Sequence, residues 1–178
     1  MTHIFLTGPL QIGKSTAINH ALSLLPPLKL AGFRTITVDT EIPRALGELY
    51  LLPAQAPLLL DRYHLLGIRW GDGMASVYVD TFEQSGVEIL AATPADADLL
   101  LMDELGVMEA AAPGFCRAVL ARLEGDIPIL GVIKPKPGRL LDAVRAHPRV
   151  RVIEATRDNR SRLPLRLLRL LREQGVGE

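Results

Sequence analysis

The stretch GPLQIGKST, Gly8 to Thr16, follows directly on the apolar run HIFLT, His3 to Thr7. Its pattern is Gly8, four intervening residues, then Gly13-Lys14-Ser15. HIFLT has the length and apolarity of a buried strand. STAINHALSLL, residues 15–25, puts Ile18, Ala21, Leu22 and Leu25 on one helix face before Pro26-Pro27 ends it. A glycine-bearing loop between a strand and a helix is the context in which this pattern holds phosphate. Backbone N–H groups of Gly8, Leu10, Gln11, Ile12 and Gly13, with the positive end of the helix opened by Lys14, Ser15 and Thr16, would surround the β- and γ-phosphates of a nucleotide. Pro9 lacks the N–H but shapes the loop. Lys14 would reach the phosphate oxygens as a point charge, and the Ser15 hydroxyl would join the coordination of Mg²⁺. The competing reading, an ordinary strand-to-helix turn with incidental glycines, is disfavoured by the flanking elements.

What happens to the phosphate is decided about ninety residues downstream, in LLLMDELGVME, Leu99 to Glu109. Four apolar residues lead into Asp103 and Glu104, so a buried strand ends in two carboxylates. In a phosphate-loop protein, an acid at such a strand tip holds Mg²⁺, which assigns Asp103 to the metal. The adjacent Glu104 is placed to orient the water that attacks the γ-phosphate, or to take its proton.

The rest of the chain alternates. GFRTITVDT (32–40) reads as a second strand, TFEQSGVEILAA (81–92) as a helix and DLLLMDE (98–104) as a buried strand. Pro113 can open a helix with Phe115, Val119, Leu120 and Leu123 inward. IPILGVI (127–133) is a further strand, RLLDAVRA (139–146) a short helix, VRVIEAT (150–156) a last strand and SRLPLRLLRLLREQ (161–174) a closing helix. Strands alternating with helices predict a parallel sheet covered on both faces, a three-layer α/β/α sandwich in one domain spanning residues 1–178. Residues 41–76 are Leu- and Pro-rich, with Gly71-Asp72-Gly73 marking a turn before the strand-like ASVYVD, and read as a hairpin-like excursion.

Composition bounds the function. Apolar residues make up 48% and charged residues 22%, which is ordinary for a globular chain. Net charge is zero, yet residues 1–133 carry 8 Lys/Arg against 15 Asp/Glu, and residues 134–178 carry 12 against 5. The basic end suits a polyanion, an anionic small molecule or the acidic part of the same fold, so nucleic acid stays open as a partner. Cys116 is the only cysteine, which excludes an intrachain disulfide and a cysteine metal cluster. No signal core is visible, and the run LYLLPAQAPLLL is too short to span a bilayer, so the expectation is a cytoplasmic protein without a membrane partner. His3, His20, His64 and His147 lack ligand spacing.

In order, GPLQIGKST, GFRT, YVDTFEQSG, LLLMDELGVME and ATRDNRSRLP resemble the nucleoside-triphosphatase family first described from thermophiles. The most specific piece is the run Asp103, Glu104, Leu105, Gly106, Met108, Glu109; Thr156, Asn159, Arg160, Leu163 and Pro164 match the closing motif more loosely. The resemblance covers most of the chain. It implies a RecA-like P-loop fold and slow, Mg²⁺-dependent hydrolysis of ATP, GTP and other nucleoside triphosphates to diphosphate and phosphate. The chain departs from the pattern at Pro9, Leu10, Gln11 and Ser15, where the family loop has more glycine and a threonine. It departs again at GELYLLPAQAPLLL (47–60), which replaces a basic Gly-Arg-Arg-x-Gly-Phe segment.

Further candidates follow from position. Lys134 ends the strand after the Asp-Glu strand, a place from which a cation can sense the γ-phosphate. Arg157 and Arg160 follow the last strand, where loops of parallel sheets reach ligands, and are assigned to the bound nucleotide. The closing helix sets Arg162, Arg166, Arg169 and Arg172 against Leu163, Leu167 and Leu170, a core-packing helix with a solvated basic face. Two rivals remain open: a small nucleotide or nucleoside kinase using Arg44, Arg62 and Arg69 as a lid, and a nucleotide-dependent RNA-binding module.

Overall fold

The computed structural model describes residues 1–71 and 75–177. The phosphate-loop strand β1 (His3–Thr7) runs into helix α1 (Lys14–Ser23), followed by β2 (Leu30–Val38), β3 (Ala45–Pro53), β4 (Leu65–Trp70) and β5 (Ala75–Val77). A helical stretch follows, built of α2 (Val79–Thr81), a π turn (Phe82–Gly86) and α3 (Val87–Ala91). Then come β6 (Leu99–Leu105), a 3₁₀ turn (Met108–Ala111), α4 (Pro113–Leu123), β7 (Ile129–Ile133), α5 (Arg139–Ala146), β8 (Val150–Glu154) and α6 (Leu163–Arg172).

One eight-stranded sheet has the order β5-β4-β3-β2-β6-β7-β1-β8. β2, β6, β7, β1 and β8 are mutually parallel. The Leu/Pro-rich excursion is hairpin-like, since β3, β4 and β5 are consecutive antiparallel strands. Its strands add antiparallel to the edge at β2, with Thr37 opposite Leu49 and Leu49 opposite Gly67. The apolar run there divides: Leu51 and Leu52 are fully buried, whereas Leu58 and Leu60 lie exposed in the link after Pro53 and Pro57, which cannot donate to a ladder. ASVYVD pairs only as far as Val77, and Val79 already begins the next helix. Asp72 and Gly73 of the expected turn lie outside the described residues.

Strand alternation builds the three layers. On one face Phe5, Leu100, Met102, Ile129 and Ile133 pack with Phe82, Phe115, Val119 and Val144 from the π turn, α4 and α5. On the other, Ile4, Leu6, Leu99, Leu101, Leu130 and Val132 pack with Ile18 of α1 and Leu163, Leu167 and Leu170 of α6. Each parallel strand therefore feeds both cores, as its near-continuous apolar sequence requires. In α4, Phe115, Val119 and Leu123 are fully buried, and Leu120 sits only half-buried at the margin. The rings of Phe33 and Phe82 approach Phe115 at 5.4 and 5.0 Å.

Parallel pairing has one consequence for chemistry. The carboxyl ends of β1, β6, β7 and β8 all emerge at one edge of the sheet, the position where open α/β sheets bind ligands. Because β7 lies between β1 and β6, residue 134 leaves the sheet between the phosphate-type loop and the acidic strand tip.

Candidate functional site

The loop after β1 has the backbone its glycines permit. Gly8 has φ +133°, and a Cβ there would stand 2.5 Å from the carbonyl oxygen of Ala155, just beyond β8. Gly13 has φ +99° and open space around it, so conformation alone calls for glycine there. Gln11 adopts φ +59°, left-handed backbone where glycine is the easier residue. Replacing Gly8 by Ala is expected to cost about 2 kcal/mol or more of stability and to abolish tight ADP binding, because the loop must leave Ala155. Thermal unfolding and ADP titration check this; an unchanged melting temperature would contradict the close packing.

Lys14 is buried, and its ammonium donates to the carbonyls of Gly8 (3.0 Å) and Pro9 (2.7 Å), curling the loop around the charge. The Ser15 hydroxyl donates to Asp103 Oδ1 at 3.2 Å across 88 residues of sequence. Burial, with the neighbouring Glu104 charge adding to it, pushes the Asp103 carboxyl up to about 6. The Ser15 hydrogen bond and Lys14 oppose that rise. Oxygen donors of this kind suit Mg²⁺, and a carboxylate that burial makes costly to ionise is one that a divalent cation would stabilise. The residues fit the ion.

Glu104 Oε1 accepts an ion pair from Lys134 Nζ at 3.2 Å, so Lys134 leans into the cleft rather than into solvent. A cleft of about 370 Å³ gathers Ser15, Asp103, Glu104 and Lys134 with Thr35, Thr37 and Arg69 from the sheet and Glu109 from the 3₁₀ turn. Glu109 is 2% exposed, its Oε1 accepts the Gly106 N–H at 3.0 Å, and its Oε2 is without a partner among the described residues. Burial raises its pKa. The sequence placed Glu109 inside a specific run but gave it no task; a sole acid five residues past Glu104 was the available signal. Thr35 and Thr37 alternate onto one face of β2, a signal that becomes informative once β2 is known to adjoin β6.

Arg157 and Arg160 lie on the opposite side of the loop. They share a hollow of about 450 Å³ with Pro9, Leu10, Gln11 and Ile12. Arg160 also borders a second hollow with Gly13, Thr16 and His20. Asn159 fixes this turn: its Oδ1 accepts the Thr156 N–H at 2.9 Å and its Nδ2 donates to the Glu154 carbonyl at 2.8 Å. The turn delays the closing helix to Leu163, past the expected start at Ser161. Among the lid candidates, Arg69 reaches the cleft, whereas Arg62 borders a separate hollow with Tyr50 and Tyr63. The basic end partly neutralises the acidic part of the fold, through Lys134–Glu104 and Arg149–Asp126 (3.9 Å). No helix among the described residues is long and apolar enough to cross a membrane.

A glycine loop joining β1 to α1, with an acidic strand tip hydrogen-bonded to its serine, defines a P-loop protein on an α/β sheet. The family model described as NTPase matches residues 3–168. A cancer-related nucleoside-triphosphatase homolog of Mus musculus is 33% identical over 174 residues, covering 90% of this chain and 92% of that protein. Nucleoside-triphosphatase THEP1 of Natranaerobius thermophilus is 30% identical, covering 97% and 98%. The solution structure of a human cancer-related nucleoside triphosphatase superposes with a TM-score of 0.67 at 27% identity, over 97% of this chain and 98% of that one. The crystal structure of THEP1 from Aquifex aeolicus shares the fold, with a TM-score of 0.73 at 22% identity over 96% and 99%. The chain belongs to the NTPase family, a family of nucleoside-triphosphate hydrolases.

Proposed function

We propose that this chain, acting as one domain, is a Mg²⁺-dependent nucleoside-triphosphatase that converts ATP, GTP and related triphosphates to diphosphate and phosphate. The Ser15–Asp103 hydrogen bond carries the reading, because it brings the loop that would hold phosphate against the acids that would hold metal and water. The backbone N–H groups of residues 8–16 and Lys14 hold the β- and γ-phosphates, with Arg157 and Arg160 on the nucleoside side. Ser15 and Asp103 are the residues that would hold Mg²⁺, which when bound would neutralise phosphate charge. Glu104, oriented by Lys134, accepts a proton from water as its oxygen bonds to the γ-phosphorus. The bond to the β-phosphate oxygen breaks, and the diphosphate leaves with that electron pair. Catalysis here is positioning and electrostatics, which suits slow turnover.

A panel of nucleoside triphosphates, with and without Mg²⁺ and with added nucleosides, tests the reading. Phosphate release with diphosphate as the other product, lost on removing Mg²⁺, is the expected result; transfer to a nucleoside in place of phosphate release would make the chain a kinase. The lone thiol Cys116 suits a reducing compartment, and we place the protein in the cytoplasm. The exposed arginine face of α6 is solvated surface in this reading, since the leucine face is spent on the core.

A further inference from the structure

We propose that Arg69 is a further catalytic residue, a guanidinium supplied from the sheet edge to the γ-phosphate; the inference rests on the triphosphatase reading above. Arg69 is on β4, three strands along the sheet from β6, yet it lines the same cleft as Ser15, Asp103, Glu104 and Lys134. The register explains how it gets there. Thr37 faces Leu49, Leu49 faces Gly67 and Arg69 faces Gly47, so these positions share one face of the sheet.

The β3 residue opposite Arg69 is thus a glycine, and a Cβ at Gly47 would come within 2.7 Å of Thr37 Cγ2. The missing side chain at Gly47 lets Thr37 pack against the β3 backbone, and Arg69 lines the cleft together with Thr35 and Thr37. Neighbouring strands lie about 4.8 Å apart, so an extended arginine spans the width of β3.

Charge gives the arginine its task. Lys14 is held by two loop carbonyls, and Lys134 is paired with Glu104. Among the described residues Arg69 forms no ion pair, so it is the cleft's uncommitted cation. As water adds to the γ-phosphorus and the bond to the β-phosphate breaks, negative charge spreads over the γ oxygens and onto the leaving oxygen. A planar guanidinium donates to two such oxygens through a fixed fork, where a lysine offers only a point charge. Its target is the γ-phosphate, so ADP should not feel it.

The test compares the full chain with Arg69→Ala and Arg69→Lys by phosphate release, and by affinity for ADP and for a non-hydrolysable ATP analogue. The Ala variant is expected to lower kcat about 10- to 100-fold, with ADP affinity within about twofold of the parent and partial recovery in the Lys variant. Turnover of the Ala variant within about twofold of the parent would overturn the proposal, as would an equal loss of affinity for ADP and the triphosphate analogue. If the parent chain itself released no phosphate, the hydrolytic reading would fail separately. The analogue-to-ADP affinity ratio would then decide Arg69, a fall in the Ala variant supporting the contact and an unchanged ratio removing it.

Discussion

Replacing Glu104 by Gln is expected to lower single-turnover phosphate release about 10²- to 10⁴-fold, the range over which a positioned general base acts. The substitution keeps the length and an oxygen for Lys134, now 3.2 Å from the carboxylate, but removes the group proposed to take the proton. It also frees Lys134 from its counter-charge beside the γ-phosphate position. Triphosphate affinity should therefore hold or tighten while chemistry stops. Slow hydrolysis with intact binding is the combination that separates a base from a structural carboxylate. Full phosphate release by the variant would take Glu104 out of the mechanism, and loss of both binding and release would make it part of the scaffold.

How far the sequence discloses this site depends on whether each signal is local. The loop Gly8–Ser15 is set by its own strand and helix, so pattern and context are read within about twenty-five residues. The strand ending in Asp103 and Glu104 is equally local, because Leu99 to Met102 must be buried whatever lies beside them. The arrangement of these pieces is not local. Nothing near residue 134 states that β7 lies between β1 and β6, yet that placement turns a lysine in a Pro-rich turn into the partner of Glu104.

The excursion is illegible for a different reason. Leu49, Leu51 and Leu52 look no different in sequence from Leu58 and Leu60, and only pairing with β2 decides that the first group is buried. Arg69 is the extreme case. Its value depends on three strand pairings, none of which leaves a mark in its own neighbourhood. The π turn at Phe82–Gly86 likewise reads as ordinary helix, since its apolar spacing differs from the α pattern by a single residue.

Replacing Asp103 by Asn is expected to move activity and stability in opposite directions. The folded protein raises this carboxyl from its ordinary range to about 6, chiefly because the group is buried. A folded-state pKa above the unfolded one means that the native state binds the extra proton between the two values. Wild-type stability therefore falls as pH rises from about 4 through about 6, and stays lower above it. Asn has no such ionisation and can still accept the Ser15 hydroxyl. Without Mg²⁺, the variant should thus be more stable than the wild type at pH 7–8, by about 1 to 2 kcal/mol or a few degrees of melting temperature, with the difference closing near pH 4. Its Mg²⁺-dependent phosphate release should nevertheless fall by about 10²-fold or more, because the proposed metal site would lose its charged oxygen. Addition of Mg²⁺ and ADP should stabilise the wild type more than the variant, reversing the order seen without ligand. A carboxylate that merely braced β6 against α1 would lose stability on amidation at every pH. Melting curves of both proteins at pH 4 and pH 8, each with and without Mg²⁺ and ADP, therefore decide whether Asp103 is strained for a cation or simply part of the frame.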